Sequence, residues 1–182
     1  MKKIINTKGI HELLHNPGYD FRRLVYWMNK TDVNDKNIHI APDFIPVLAL
    51  LGACFSLEAY INMVGQKIDK DWNDFEKGPI PLKDRLKRIY SKLNKSLDCS
   101  KGVWQEVLLL FKIRVSLVHP QYVNKTETRS EHDEILTIFQ KVKQEYPPNK
   151  SEKILEEAID TLLKDAKLLH LKDHSQGSSY EE

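Results

Sequence analysis

Cysteine is almost missing from this sequence. Its two cysteines, Cys54 inside an apolar run and Cys99 in a turn-like segment, make neither a disulfide framework nor a zinc-ligand spacing, and a reducing compartment is expected. Glycine is scarce too, at seven of 182 residues, which removes collagen-like repeats. No sign of charge dominates: 28 Lys and Arg stand against 26 Asp and Glu. The net charge of +2 advertises neither a nucleic acid nor a membrane, so any electrostatic specialisation has to be local. Long hydrophobic runs are absent as well. The longest uncharged stretch, Phe44 to Leu57, has 14 residues and contains Pro46 and Gly52, short of the roughly 20 apolar residues of a membrane span. The opening MKKIINTKGIHELL turns polar after Ile5 and lacks the unbroken apolar core of a secretory signal, so a cytoplasmic protein with no membrane partner is expected.

What is present is ordinary globular usage, 41% apolar and 30% charged, in a length that suits one domain folding alone or with copies of itself. Residues 1–41 mix short apolar clusters with turn residues, Asn16-Pro17-Gly18 and Asn34-Asp35, and predict an N-terminal arm with one or two short helices around Phe21 to Met28. A helical domain follows over 42–172. From Pro42 to Ile68 the sequence is apolar on nearly every side, and after Asp43 the only charge before Lys67 is Glu58, which reads as a central helix. Past the loop at Gly78-Pro79-Ile80-Pro81, Leu82, Leu86, Ile89 and Leu93 form an amphipathic stripe. Val103 to Val118 is again apolar almost all round, with Asp98 or Ser100 able to cap it and Pro120 to stop it. Glu131 to Tyr146 and Ser151 to Leu171 are two more amphipathic helices, separated at Tyr146-Pro147-Pro148-Asn149. No alternating run long enough for a half-buried strand occurs. The expected class is all-α, an antiparallel helical bundle of four to five main helices with a short N-terminal helical arm, and the polar tail 173–182 is expected to be disordered.

Two patterns carry chemistry. His11-Glu12-Leu13-Leu14-His15 has the HExxH spacing that puts two imidazoles on one helical face for zinc hydrolysis. Only ten residues precede it and Asn16-Pro17-Gly18 ends it within a turn, so a solvated N-terminal turn is the better reading and no metal site is assigned. The second pattern is quieter. Arg114 is a permanent charge on an apolar helix, and burying it without a partner would cost several kcal/mol. Glu58, the lone acid of the other apolar helix, is the matching oddity, so a pair across the two helices is expected. His119 precedes Pro120 and should sit at the helix end, facing out of the core. Five residues turn an ideal helix by about 140°, so one copy does not aim both Arg114 and His119 at one atom. Two copies about a twofold axis would bring two arginines and two histidines to one cleft.

The segments ALLGACFSLEAYIN (Ala49 to Asn62) and SLDCSKGVWQEVLLLFKIRVSLVHPQ (Ser96 to Gln121) resemble the HEPN superfamily, the helical "higher eukaryotes and prokaryotes nucleotide-binding" domains, over roughly residues 42–145. The R-x4-H element is Arg114 to His119, after the Trp104-Gln105-Glu106 lead-in, and the other helix carries Glu58 in its SLEAYIN signature. The resemblance implies a homodimeric helical bundle. It also implies a metal-independent endoribonuclease of a toxin–antitoxin or phage-defence system, with no cofactor, RNA as substrate and an antitoxin or other regulatory protein as partner. It makes Arg114 and His119 the catalytic residues. The family usually has a polar residue, commonly Asn, directly after the arginine; this chain has Val115, with Ser116 able to bring a hydroxyl nearby.

The chemistry is coherent on its own terms. Metal-free RNA cleavage needs a group that moves a proton at the 2′-hydroxyl or the leaving 5′-oxygen, and a fixed cation for the charge growing on phosphorus; a histidine and an arginine supply them. Residues 82–101 hold seven bases against Asp84 and Asp98, a local excess that supports RNA approach through Lys83, Lys87 and Arg88, with Lys112 adding a positive charge two residues before Arg114. Two other readings stay open. Arg114 can be only the partner of Glu58, with the bases the solvated side of their helix, or the same dimer can be a non-catalytic module that holds nucleotide, RNA or a partner protein.

Overall fold

The computed structural model describes residues 17–30, 44–118 and 139–172. All regular structure among the described residues is helical: α1 (Pro17–Lys30), α2 (Ile45–Ile68), α3 (Trp72–Phe75), α4 (Leu82–Lys92), α5 (Gly102–Val118), a helical stretch over 139–145, α6 (Pro148–Asp165) and a closing 3-10 turn, Leu169–Leu171. The protein is all-α. The HExxH motif, the Asn34-Asp35 turn, His119 and Pro120, the first part of the helix expected over Glu131 to Tyr146, and the tail from Asp173 lie outside the described residues.

The central element is α2, on which α1, α4, α5 and α6 all pack. Most of its circumference is covered, with Ala49, Gly52, Cys54, Ser56, Leu57 and Gly65 buried and a strip through Phe55 and Gln66 exposed, so little of the helix is left to be polar. At 24 residues it is long and apolar enough to cross a bilayer, and burial among four helices accounts for the same composition.

Two glycines of α2 mark close approaches. A Cβ at Gly52 would stand 3.0 Å from Val25 Cγ2, so α1 lies tightly against α2 there, and the buried Ser56 hydroxyl donates to Gly18 O at 2.6 Å. The helix expected around Phe21 to Met28 is thus longer than that and is seated on the core through Val25 and Met28. Arg22 is bidentate on Glu156 of α6, which fastens α1 from the other side. At Gly65 the neighbour is the indole of Trp72, which is almost fully buried.

α2 ends at Asp69, whose N–H returns to Gly65 O at 2.9 Å while its carboxylate accepts the Asp71 N–H at 3.1 Å, turning the chain into α3. That carboxylate is buried between Arg88 (2.5 Å) and Lys92 (3.1 Å) of α4. The Arg88 hydrogen bond, with help from Lys92 and the Asp71 N–H and against the opposing effect of burial, holds Asp69 well below the ordinary carboxylate range. A depressed acid contributes stability that is full above its unfolded value, near pH 4, and is lost as pH falls toward the folded value. Thermal unfolding between pH 7 and pH 2.5 should therefore show Asp69→Asn already less stable at neutrality and the gap to wild type closing in acid. Parallel curves would contradict this account.

The stripe on α4 packs as its spacing predicts, with Leu86 and Ile89 buried and Leu82 and Leu93 half-buried against the core. α6 buries Ile154, Leu155, Ile159, Leu162 and Leu163 but stops at Asp165 rather than running to Leu171. Lys167 adopts a left-handed φ of 59°, and the Leu168 N–H reverses onto Leu163 O at 2.7 Å. This reversal lays Leu168 on the core, an apolar contact that offsets the cost of a left-handed lysine.

Candidate functional site

The two helices that read as apolar all round bring Glu58, the lone acid of α2, to Arg114 of α5. Arg114 Nη2 of α5 lies 3.3 Å from Glu58 Oε2 of α2, and each side chain keeps only about a quarter of its surface open, 25% and 27%. Phe55 and Phe111 flank the guanidinium, their ring centroids 5.3 and 5.8 Å from its central carbon. Each ring precedes its charged neighbour by three residues, so helical spacing puts Phe55 beside Glu58 and Phe111 beside Arg114. Sequence reading missed both rings, although that spacing was the signal for them.

Arg114 Nε is buried without a hydrogen-bond partner among the described residues. The guanidinium is thus held by an ion pair and two rings, with its Nε–H unspent. Beside it, burial pushes the Cys54 thiol well up, against the pull of Arg114, so Cys54 stays a neutral apolar residue.

The other sequence candidates scatter. Ser116 is exposed, two residues round from Arg114, and its hydroxyl donates to Lys112 O at 3.2 Å in its own helix. His119 lies just past the last described residue of α5. Lys112 is exposed on α5. Lys83 and Lys87 line an open cavity of about 380 Å³ with Leu97, Asp98, Cys99 and Ser100, and Lys87 also pairs with Asp84 at 2.9 Å. Arg88 is committed elsewhere, stacked 4.2 Å from the Phe75 centroid and bonded to buried Asp69.

The basic excess of residues 82–101 shrinks in three dimensions. Glu76 takes Arg85, Asp69 takes Arg88 and Lys92, and Asp165 takes Lys95, all three acids coming from outside the segment. A count along the chain could not see them. Among the described residues no three His, Cys, Asp or Glu gather as a metal site would require. No family model, no curated protein and no solved structure matches this chain.

Proposed function

We propose that this chain is a HEPN-like, metal-independent endoribonuclease that works as a cytoplasmic homodimer, an antiparallel bundle of four to five main helices serving defence or a toxin–antitoxin pair. The observation that carries the reading is the Arg114–Glu58 pair, a sheltered guanidinium held by one carboxylate at 3.3 Å and still a quarter open, on the helix whose sequence continues to His119. A fixed, partly accessible cation is what the growing phosphoryl charge requires, and its aromatic flanks raise the strength of that interaction by excluding water.

In this mechanism His119 moves the proton at the 2′-hydroxyl or the leaving 5′-oxygen, Arg114 stabilises the pentavalent phosphorus, and Glu58 positions Arg114. The products carry 2′,3′-cyclic phosphate and 5′-hydroxyl ends. Self-association brings the two roles to one cleft. Val115 and Val118, exposed apolar residues on one side of α5, support it.

The test is cleavage of an RNA pool in EDTA by wild type and by His119→Ala at matched folding, with the expected loss at least about a hundredfold. Equal rates, or no cleavage by wild type, would defeat the enzymatic reading. A second reading has its own observation. Val115, 52% exposed, is an apolar residue directly after the arginine, which suits a binding surface for nucleotide, RNA or a regulatory protein better than a reactive cleft. Partner binding retained in Arg114→Ala and His119→Ala variants, without nuclease activity, would select it.

A further inference from the structure

The acids that answer the bases of residues 82–101 come from other elements, yet among the described residues none of them reaches Lys83 or Lys87. These two lysines stand one turn apart on α4, both exposed, and Lys87 pairs with Asp84 of its own helix, a surface contact of little strength in water. They border the open cavity of about 380 Å³ that the loop after α4 forms with that helix.

The remaining walls give this cavity two characters. Leu97 and Cys99 are half-buried and pack against the core, so the inner wall is apolar. Burial pushes the Cys99 thiol up, with Asp98 acting the same way against Lys83 and Lys87, and the sulfur is therefore neutral at pH 7. Asp98, the acid on the rim, is turned back on its own loop. One of its oxygens accepts the Ser100 N–H at 2.8 Å and the Ser100 hydroxyl at 2.6 Å, and Lys101 lies 3.5 Å from the other. Its charge is answered locally, which leaves the two lysines to set the potential at the mouth.

An apolar wall behind paired cations fits a small molecule with an apolar body and a compact dianionic end. Two ammonium groups one helical turn apart can converge on a single phosphate, for which lysine serves as a point charge, whereas a monocarboxylate has charge enough for one. Leucine methyls and a polarisable sulfur favour a flat ring against them. The volume lies at the lower end of small-molecule sites, roughly 300–1,000 Å³, and suits a ligand about the size of a mononucleotide. A strand lying across α4 would touch the lysines without using the wall behind them.

We propose that the cavity between α4 and the 97–100 loop binds a small phosphomonoester with a flat apolar body, its phosphate on Lys83 and Lys87 and its body against Leu97 and Cys99. From Gly102 to Arg114 the α5 helix rises about 18 Å, so this site stands apart from the cleavage chemistry and holds whether or not Arg114 is catalytic.

Cys99 supplies the reporter. Cys54, the other cysteine of the sequence, is fully buried, so N-ethylmaleimide, which carries no charge for the lysines to steer, labels Cys99 first in the folded protein. The probe is adenosine 5′-monophosphate (AMP). It should slow this labelling saturably, and adenosine, ribose 5-phosphate and inorganic phosphate should each need concentrations about tenfold higher or more. Lys83→Gln and Lys87→Gln should each weaken protection by AMP about tenfold at unchanged thermal midpoint, while Lys77→Gln, which alters the exposed pair with Asp74, should be protected as wild type is. No protection by AMP, or protection undiminished in the Lys83→Gln/Lys87→Gln variant, would overturn the proposal. Protection by inorganic phosphate as strong as by AMP would remove the apolar body, and protection by a 2′-O-methyl oligouridylate without any by AMP would give the lysines to an RNA strand; either result overturns it as well.

Discussion

In Arg114→Ala, RNA cleavage is expected to fall about a hundredfold or more, the usual consequence of removing one donor aimed at developing transition-state charge. Arg114→Lys should recover little, since an ammonium is a point charge that cannot keep one N–H on Glu58 Oε2 and present others to phosphate in the same plane. Glu58→Gln should lose less, about tenfold, because the amide oxygen still accepts a hydrogen bond while the charge that fixes the guanidinium is gone. Stability separates these roles. A quarter-exposed pair is partly screened, so breaking it from the arginine side should cost only about 1–2 kcal/mol, and the Arg114→Ala/Glu58→Ala double variant should be less destabilised than the sum of the singles. Cleavage by Arg114→Ala at the wild-type rate would leave the pair a purely structural one.

Gly65→Ala is expected to lower stability by about 3 kcal/mol or more, roughly 6–12 °C in the thermal midpoint of a chain this size. The new Cβ would fall 2.2 Å from Trp72 Cδ2 and Cε2, inside the van der Waals radius of a rigid ring. The indole has no room to yield. It is 1% exposed, packed tilted against Phe75 at 5.4 Å, and its backbone belongs to the turn that Asp69 holds between Arg88 and Lys92. Relief therefore requires moving α3 or opening the turn, which disturbs the buried carboxylate as well. Trp72→Leu should be destabilising alone, by an emptied pocket, yet should offset much of the Gly65→Ala penalty when the two are combined. Additive losses in a double-mutant cycle by chemical denaturation would show that the contact is not the cause.

Much of the candidate site was legible because single charges stand out against apolar helices. Glu58 and Arg114 were paired by their chemistry: Glu58 is the lone acid of its apolar helix, and an arginine sheltered on the other apolar helix needs an opposite charge. The rings around Arg114 went unread because an aromatic in an apolar helix is ordinarily core, and only the facing helix determines that Phe55 and Phe111 border a cation. Arg88 shows what a facing element adds. Its position on the polar side of α4 suggested an RNA contact, but the end of α2 brings Asp69 across from 19 residues away and uses it.

The sequence by itself determined that the protein is helical, where the long helices lie, and which residues of α4 and α6 face inward. Those features depend on periodicity and local backbone preference, which each segment carries within itself. Only the tertiary structure decided which charges are free. Opposite charges pair across helices that neither segment's pattern can specify, and so the excess of bases over residues 82–101 is largely answered by Asp69, Glu76 and Asp165. It also decided that α6 ends at Asp165, because the contact of Leu168 with the core outweighs a helical propensity that local sequence alone would have extended.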